Sequence, residues 1–294
     1  MRLTHRMIAG SASLNLQQTL ARLDQRAQQA YTGKAFRRPS QDPVGINRVM
    51  RYREAISRSS RFKLNIGEAK GWLQATETAL REGLSALQQI EELTIYGANG
   101  GLSQAELDAI AEEVHEFYEH LIGVGNTEYN GLYIFGGYCT GSAPYGWEEG
   151  TLRYYGDAGE RRLEISTHQE IVMNLHGERA FGGTKIMDAV TGVHRALLEG
   201  DREALSGPAL AGISEGIDLL LDRLSEVGAR YTRVSAMEHT LSGEELHLKE
   251  MLSLVEDKDF AEAMAEFSME EYAYRAALAT SSRVLQPNLL DYLR

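Results

Sequence analysis

The chain has one cysteine, Cys139, in 294 residues. That excludes an intrachain disulfide and any thiolate metal cluster. Cys139 sits among glycines and tyrosines, where it reads as a small turn residue and not as a nucleophile. No apolar run approaches the roughly 18–20 residues of a membrane span, so no membrane insertion is expected. The opening Met1-Arg2-Leu3-Thr4-His5-Arg6 leads into mixed polar sequence, without the apolar core and cleavage site of a secretory leader. A basic surplus is missing too. The formal net charge is −12, which argues against a nucleic-acid partner.

What is present is helical periodicity at both ends of the chain. Between positions 66 and 90 the small or apolar residues run Ile66, Ala69, Leu73, Thr76, Leu80, Gly83, Leu87, Ile90. Near the other end the same alternation of three and four recurs in Ile217, Leu220, Leu224, Val227, Tyr231, Val234, Leu241 and Leu248. Such a seam keeps one stripe of a helix against a partner helix. The expected fold is mainly α: an elongated antiparallel helical bundle of the N- and C-terminal segments, with a small β-rich insertion in the middle. Its core is expected at Ile66, Leu73, Leu80, Leu87, Leu220, Leu224, Val227 and Tyr231.

Punctuation divides the pattern. A first helix over about 4–31 carries Leu16, Leu20, Leu23, Ala27 and Ala30, and Thr32-Gly33-Lys34 ends it. Pro39-Ser40-Gln41-Asp42-Pro43 breaks and restarts the chain, with Asp42 as N-cap and Pro43 at the first helical position. The next helix would reach Tyr96, about 80 Å at 1.5 Å per residue. Ser103 and Glu106 form a capping-box pair ahead of a third helix. From 123 to 159 ten of 37 residues are Gly and helical periodicity disappears. Short strands are expected at 152–154, 163–165 and 171–175, with a hairpin turn at Gly156-Asp157-Ala158-Gly159 between the first two. A short helix over about 185–198 and a second long one over about 213–255 follow. Asp259 and Glu262 start a last helix with the stripe Phe260, Ala263, Phe267, Tyr274, Ala277, which Pro287 ends. Three parts result: terminal helices at 1–42 and 256–294, a long-helix part at 43–130 and 186–255, and an insertion at 131–185. Loop closure costs little extra as a loop lengthens. The insertion is therefore expected to be replaceable over 140–180 without loss of the helices.

Charge is uneven. Residues 34–70 hold ten Lys/Arg against three Asp/Glu, and 199–271 hold eighteen acids against six bases. The two segments are expected to attract one another, within the chain or between subunits, if they are more than solvated helix faces. Glu238 and Glu245 at seam positions weaken a simple two-stranded coil and admit a neighbouring helix or water.

Motifs for catalysis are weak. Glu112/His115 and Glu244/His247 repeat the Glu-x-x-His pattern of di-iron bundles. Their register places them facing outward, which disfavours an oxidase of that kind. Thr32-Gly33-Lys34 lacks the earlier glycine and the preceding strand of a phosphate loop. His115 and His120 are five apart, on different helix faces. The aromatics Tyr129, Tyr133, Phe135, Tyr138, Tyr145 and Trp147 read as a small β-domain core, with a binding surface as the alternative. No catalytic residue, cofactor or metal is expected.

Three segments carry a family likeness. The first is Thr32-Gly33-Lys34 with Arg38-Pro39-Ser40-Gln41-Asp42-Pro43-Val44-Gly45. The second is Asn126-Thr127-Glu128-Tyr129-Asn130-Gly131-Leu132-Tyr133-Ile134-Phe135-Gly136-Gly137, followed by Pro144-Tyr145. The third runs from Tyr274-Arg275-Ala276-Ala277-Leu278 to Leu285-Gln286-Pro287-Asn288-Leu289-Leu290-Asp291-Tyr292-Leu293. With these the chain resembles the flagellin-like axial proteins of the bacterial flagellum, and among them the hook-associated proteins of type three at the hook–filament junction. It departs from their Ser-Gly-Lys and Pro-Ser-Asp-Asp-Pro at Thr32 and Gln41. The loop Gly33, Lys34, Pro39, Ser40, Asp42, Pro43 is the family motif here, and its prolines favour the junction type over a short flagellin, the runner-up.

The resemblance implies a structural adaptor that performs no reaction. Such a protein is exported unfolded through the flagellar channel without a cleaved signal, from the cytoplasm to an extracellular place on the flagellum. Terminal helices would pack the inner tube through Leu16, Leu20, Leu23, Ala27, Phe260, Phe267 and Tyr274, and the insertion would point outward. Implied partners are a ring of like subunits, the hook-side hook-associated protein, flagellin and a cytoplasmic export chaperone. Leu285, Leu289, Leu290 and Leu293 lie beyond the last strong heptad, and exposed apolar residues mark contact sites. They are the expected chaperone and subunit contacts.

Overall fold

A computed structural model describes residues 5–285. Leu289, Leu290, Leu293 and the stop expected at Pro287 lie outside the described residues, and Leu285 is the last of them. The elements are mainly helices: α1 His5–Thr32, α2 Pro43–Ala98, α3 Gln104–Gly125, α4 Gly177–Phe181, α5 Lys185–Glu199, α6 Arg202–Ala204, α7 Leu210–Glu256 and α8 Phe260–Leu285. Six short strands lie between α3 and α4: β1 Glu128–Tyr129, β2 Leu132–Tyr133, β3 Tyr145–Glu148, β4 Thr151–Tyr154, β5 Arg162–Ser166 and β6 Gln169–Val172. The mainly helical fold with a small β-rich centre is as the periodicity predicts.

Caps explain the helix ends. Gly33 takes φ +66°, the left-handed conformation that closes α1. Asp42 Oδ1 accepts from the backbone N–H groups of Val44 (3.1 Å) and Gly45 (2.9 Å), the first free donors of α2. Ahead of α3, the Glu106 carboxylate accepts from the Ser103 backbone N–H at 2.7 Å and from its hydroxyl at 2.8 Å. Asp259 Oδ1 accepts from Glu262 N–H at 3.0 Å at the start of α8. Between α6 and α7, Pro208 sits in a π-helical turn over Leu205–Ala209. Proline lacks the N–H that a regular turn would use, and the wider turn absorbs this.

The chain divides into two compact units, residues 1–58 with 244–294, and residues 59–243. In the second unit Ile66, Leu73, Leu80 and Leu87 of α2 are buried, as are Leu220 and Val227 of α7, while Leu224 and Tyr231 are half-buried against them. Gly83 keeps α2 open to its neighbours: Leu121 and Val124 of α3 and Leu220 of α7 stand over it. By length and composition alone the helical run Arg202–Glu256 is apolar enough to cross a membrane. Its residues Leu205, Ile213, Leu220 and Val227 are instead part of the core.

Two expectations for the β region need correction. The strands pair as three separate antiparallel hairpins, β1–β2, β3–β4 and β5–β6. Thus 152–154 pairs with 145–148, not with 163–165, and Gly156–Gly159 is a connection and not a hairpin turn. Asp157 Oδ1 organises that connection by accepting from Tyr138 N–H (2.8 Å) and Gly159 N–H (2.7 Å). Two of the hairpin turns, Asn130-Gly131 and Glu149-Gly150, have both residues at positive φ, the conformation that matches the twist of the flanking strands. The third expected strand stops at Val172. Beyond it the Asn174 side chain accepts from Arg161 N–H at 2.8 Å and donates to Gly159 O at 2.8 Å.

The β region shares its core with the helices. Phe135, Tyr145, Ile165, Ile171, Met173, Leu175 and Phe181 are buried in the same cluster as Leu73, Leu80 and Leu87. Phe135 and Phe181 meet edge-on, 4.9 Å between centroids. Arg161 lies over the Trp72 ring of α2 at 4.6 Å, and Arg230 of α7 donates to the carbonyls of Val172 (3.2 Å) and Asn174 (3.0 Å). The aromatic run thus divides: Phe135 and Tyr145 are core, whereas Tyr138 and Trp147 are exposed.

Candidate assembly interface

The first unit is built on the pairing of α1 with α8. Its charges fix direction and register. Arg26 meets Glu266 at 2.7 Å and Arg22 meets Glu270 at 3.5 Å. Moving four residues forward on α1 moves four back on α8, so the helices are antiparallel. Tyr31 tilts against Phe267, centroids 6.4 Å apart. Lys258 also pairs with Glu266, and with Arg26 it holds that carboxyl below the ordinary range.

The motif loop closes one end of this pair. Lys34 bridges the strand-like backbone of Asp257, Ala35 N–H donates to Glu256 O at 2.7 Å, and Lys258 N–H donates to Gly33 O at 2.9 Å. Lys34 Nζ reaches Asp257 Oδ1 at 2.6 Å and Glu256 Oε1 at 3.4 Å. Arg53 of α2 meets the same Glu256 at 2.6 Å. The hydrogen bond to Asp257 holds Lys34 above the ordinary lysine range, against partial burial. Lys34 and then Ser253 hold Asp257 below the ordinary carboxylate range. Gln41 Oε1 accepts from the N–H groups of Arg37 (2.8 Å) and Arg38 (3.1 Å), which curls the stretch around exposed Pro39 and Ser40.

Exposure sorts the stripe residues. Leu16, Leu23 and Ala27 of α1 and Phe267 and Tyr274 of α8 are half-buried. Leu20 and Phe260 are 48% and 66% exposed and are not covered by the α1–α8 pairing. Leu14, Tyr31, Met269, Tyr272 and Leu278 are likewise exposed. Two helices can cover only one stripe of each other, so the outward apolar side chains lack cover among the described residues. Sequence reasoning missed Arg22, Arg26, Glu266 and Glu270. The matched four-residue spacing of bases on one helix and acids on the other is the signal that could have found them.

The remaining candidates are dispersed. Glu112, His115, Glu244 and His247 are all exposed. Among the described residues no group of three or more His, Cys, Asp or Glu is placed to hold a metal ion. The charged segments of the sequence do meet within the chain, at Lys34–Asp257, Arg53–Glu256 and Lys70–Glu238 (2.7 Å). The seam position Glu238 is answered by that lysine.

The pattern of the bacterial flagellin N-terminal helical region matches residues 3–140. The chain is 27% identical to the flagellar hook-associated protein 3 of Escherichia coli over 77% of its own length and 69% of that protein's. It is 24% identical to the flagellin of Bacillus subtilis over the whole of both chains. The crystal structure of the flagellar junction protein FlgL from Legionella pneumophila superposes with a TM-score of 0.63 at 14% identity, covering 72% of this chain and all of that one. The chain is similar to the flagellin-like proteins of the bacterial flagellum, and among them to the hook-associated proteins of type three.

Proposed function

We propose that this chain is a structural adaptor of the bacterial flagellum, set between hook and filament, and that it works by packing and not by catalysis. One observation carries the reading: the antiparallel pair α1–α8 leaves Leu14, Leu20, Phe260, Met269 and Tyr272 exposed, a surface suited to like helices of neighbouring subunits. In this reading 1–42 with 256–294 form the inner, axial part, 43–130 with 186–255 the long-helix part, and 131–185 the outward-facing part. The subunits form a ring that meets a hook-side hook-associated protein at one end and flagellin at the other. Before assembly the chain crosses the flagellar channel unfolded. Its last leucines, Leu285, Leu289, Leu290 and Leu293, are then held by a cytoplasmic export chaperone.

A strain lacking the gene tests this. The expected outcome is hooks without filaments, with flagellin released to the medium, and restoration by the intact gene. Filaments of normal length on the deletion strain would contradict it. A filament subunit is the second reading, favoured by the end-to-end match to the Bacillus subtilis flagellin. It predicts that the deletion leaves no filament protein at all, on the hook or in the medium.

A further inference from the structure

Away from the terminal helices, two histidines from different helices face one another. His115 on α3 and His194 on α5 have ring centroids 5.6 Å apart and planes inclined at 44°. They line an open cleft of about 430 Å³ together with Tyr118, Trp147, Asp188 and Arg195. His115 is exposed and His194 half-buried, so solvent ions reach both.

We propose that His115 and His194 together bind one divalent transition-metal ion, of the class Zn²⁺, Ni²⁺ or Cu²⁺, and so clip α3 to α5. The spacing supports it. With a metal–nitrogen bond of about 2.0–2.1 Å, and a ring nitrogen about 1.1 Å from its centre, two imidazoles on one tetrahedral ion have centroids about 5 Å apart. The observed separation is wider by about half an ångström, within reach of a small side-chain rotation of His115. Both helices are anchored in the core, by Val114 and Tyr118 on one side and Val190 and Val193 on the other, so the backbone need not move.

The surroundings suit a cation. Glu112, one turn before His115, acts electrostatically on His194, and Asp188 lines the cleft from α5; Arg195 is the opposing charge. Burial, and then His115, hold His194 below the usual imidazole range against the pull of Glu112. Among the described residues no third His, Cys, Asp or Glu completes a ligand set, so water fills the remaining positions. Two nitrogen ligands plus water favour Cu²⁺ most strongly, by the general order of divalent affinities.

The test is calorimetric titration of the untagged full-length chain with ZnCl₂ and CuCl₂ at pH 7.5, with thermal unfolding in parallel. One saturable site and a raised melting temperature are expected. His115→Ala and His194→Ala should each weaken binding at least tenfold and remove the thermal shift, whereas His120→Ala on another face of α3 leaves both. His115→Asn and His194→Asn, which keep polarity and bulk, repeat the test should an alanine variant unfold. Absence of saturable binding up to millimolar metal, or binding unchanged in both asparagine variants, would overturn the proposal.

Discussion

One methyl group distinguishes two buried glycines of the second unit. A Cβ on Gly83 would lie 3.6 Å from Leu220 and Val124, ordinary contact, inside a helix. Gly83→Ala therefore removes unfolded-state freedom without a clash and should raise stability by about 0.5–1 kcal/mol. On Gly125 the Cβ would lie 2.7 Å from Tyr145 Cδ2, a buried ring whose hydroxyl is engaged with Gly183 O at 3.0 Å. The ring cannot retreat, and Gly125→Ala should lower stability by about 1–3 kcal/mol. Urea unfolding of the two variants checks both signs. Glu226 is a second informative residue, gathering Arg230, Arg223 (2.7 Å) and Arg179 (2.8 Å). Burial pushes its carboxyl up, but Arg230, Arg223 and Arg179 together bring it below the ordinary range. A depressed folded-state value contributes stability in full above the unfolded value of about 4.3, and loses it as pH falls through the folded value. Glu226→Gln should be less stable by about 1–2 kcal/mol at pH 7, with the difference shrinking toward pH 3. Chemical denaturation across that range measures it; a constant difference would contradict the assigned role.

At the scale of elements, helices were legible and strand pairing was not, for a physical reason. Helix ends are written locally: Asp42, Ser103 with Glu106, Asp259 and Gly33 each act within one turn of their own position. The 3,4 alternation of Ile66 to Ile90 likewise reports a face of one helix, and all eight of those positions are buried. Pairing of strands depends on where the chain reverses. Alternation at 152–154 and 163–165 says that each has a buried face, not that they are neighbours. Asn130-Gly131 is a readable turn, but Glu149-Gly150 puts a glutamate at φ +52°, a position few would assign to it. The burial of Ile165, Ile171 and Met173 among α2, α3 and α7 residues also changes what deletion should do. Replacing 140–180 with a Gly/Ser linker removes those side chains and uncovers Trp72, over which Arg161 lies. The shortened chain should keep helical circular dichroism but lose a sharp thermal transition. An undiminished cooperative transition would show that the helices are self-sufficient.

For the whole molecule, the sequence displayed the class of protein through its ends, and displayed the assembly surface only in part. The stripe Leu16, Leu23, Ala27 with Phe267 and Tyr274 marks where α1 and α8 approach, while Leu20 and Phe260, on the same expected stripes, remain exposed. Periodicity identifies a face but not its partner, and in a protein read as an assembly subunit the partner of that face is another chain. Composition likewise bears on covalent chemistry more than on partners: a single cysteine excludes an intrachain disulfide but identifies no neighbour. The central claim is a position on the flagellum, and the most direct measurement of it is electron microscopy of intact flagella labelled with an antibody to residues 131–185. A label confined to a narrow band at the boundary of hook and filament is the predicted result. A label running along the length of the filament, or absent from the boundary while the protein is present in the preparation, would contradict the account.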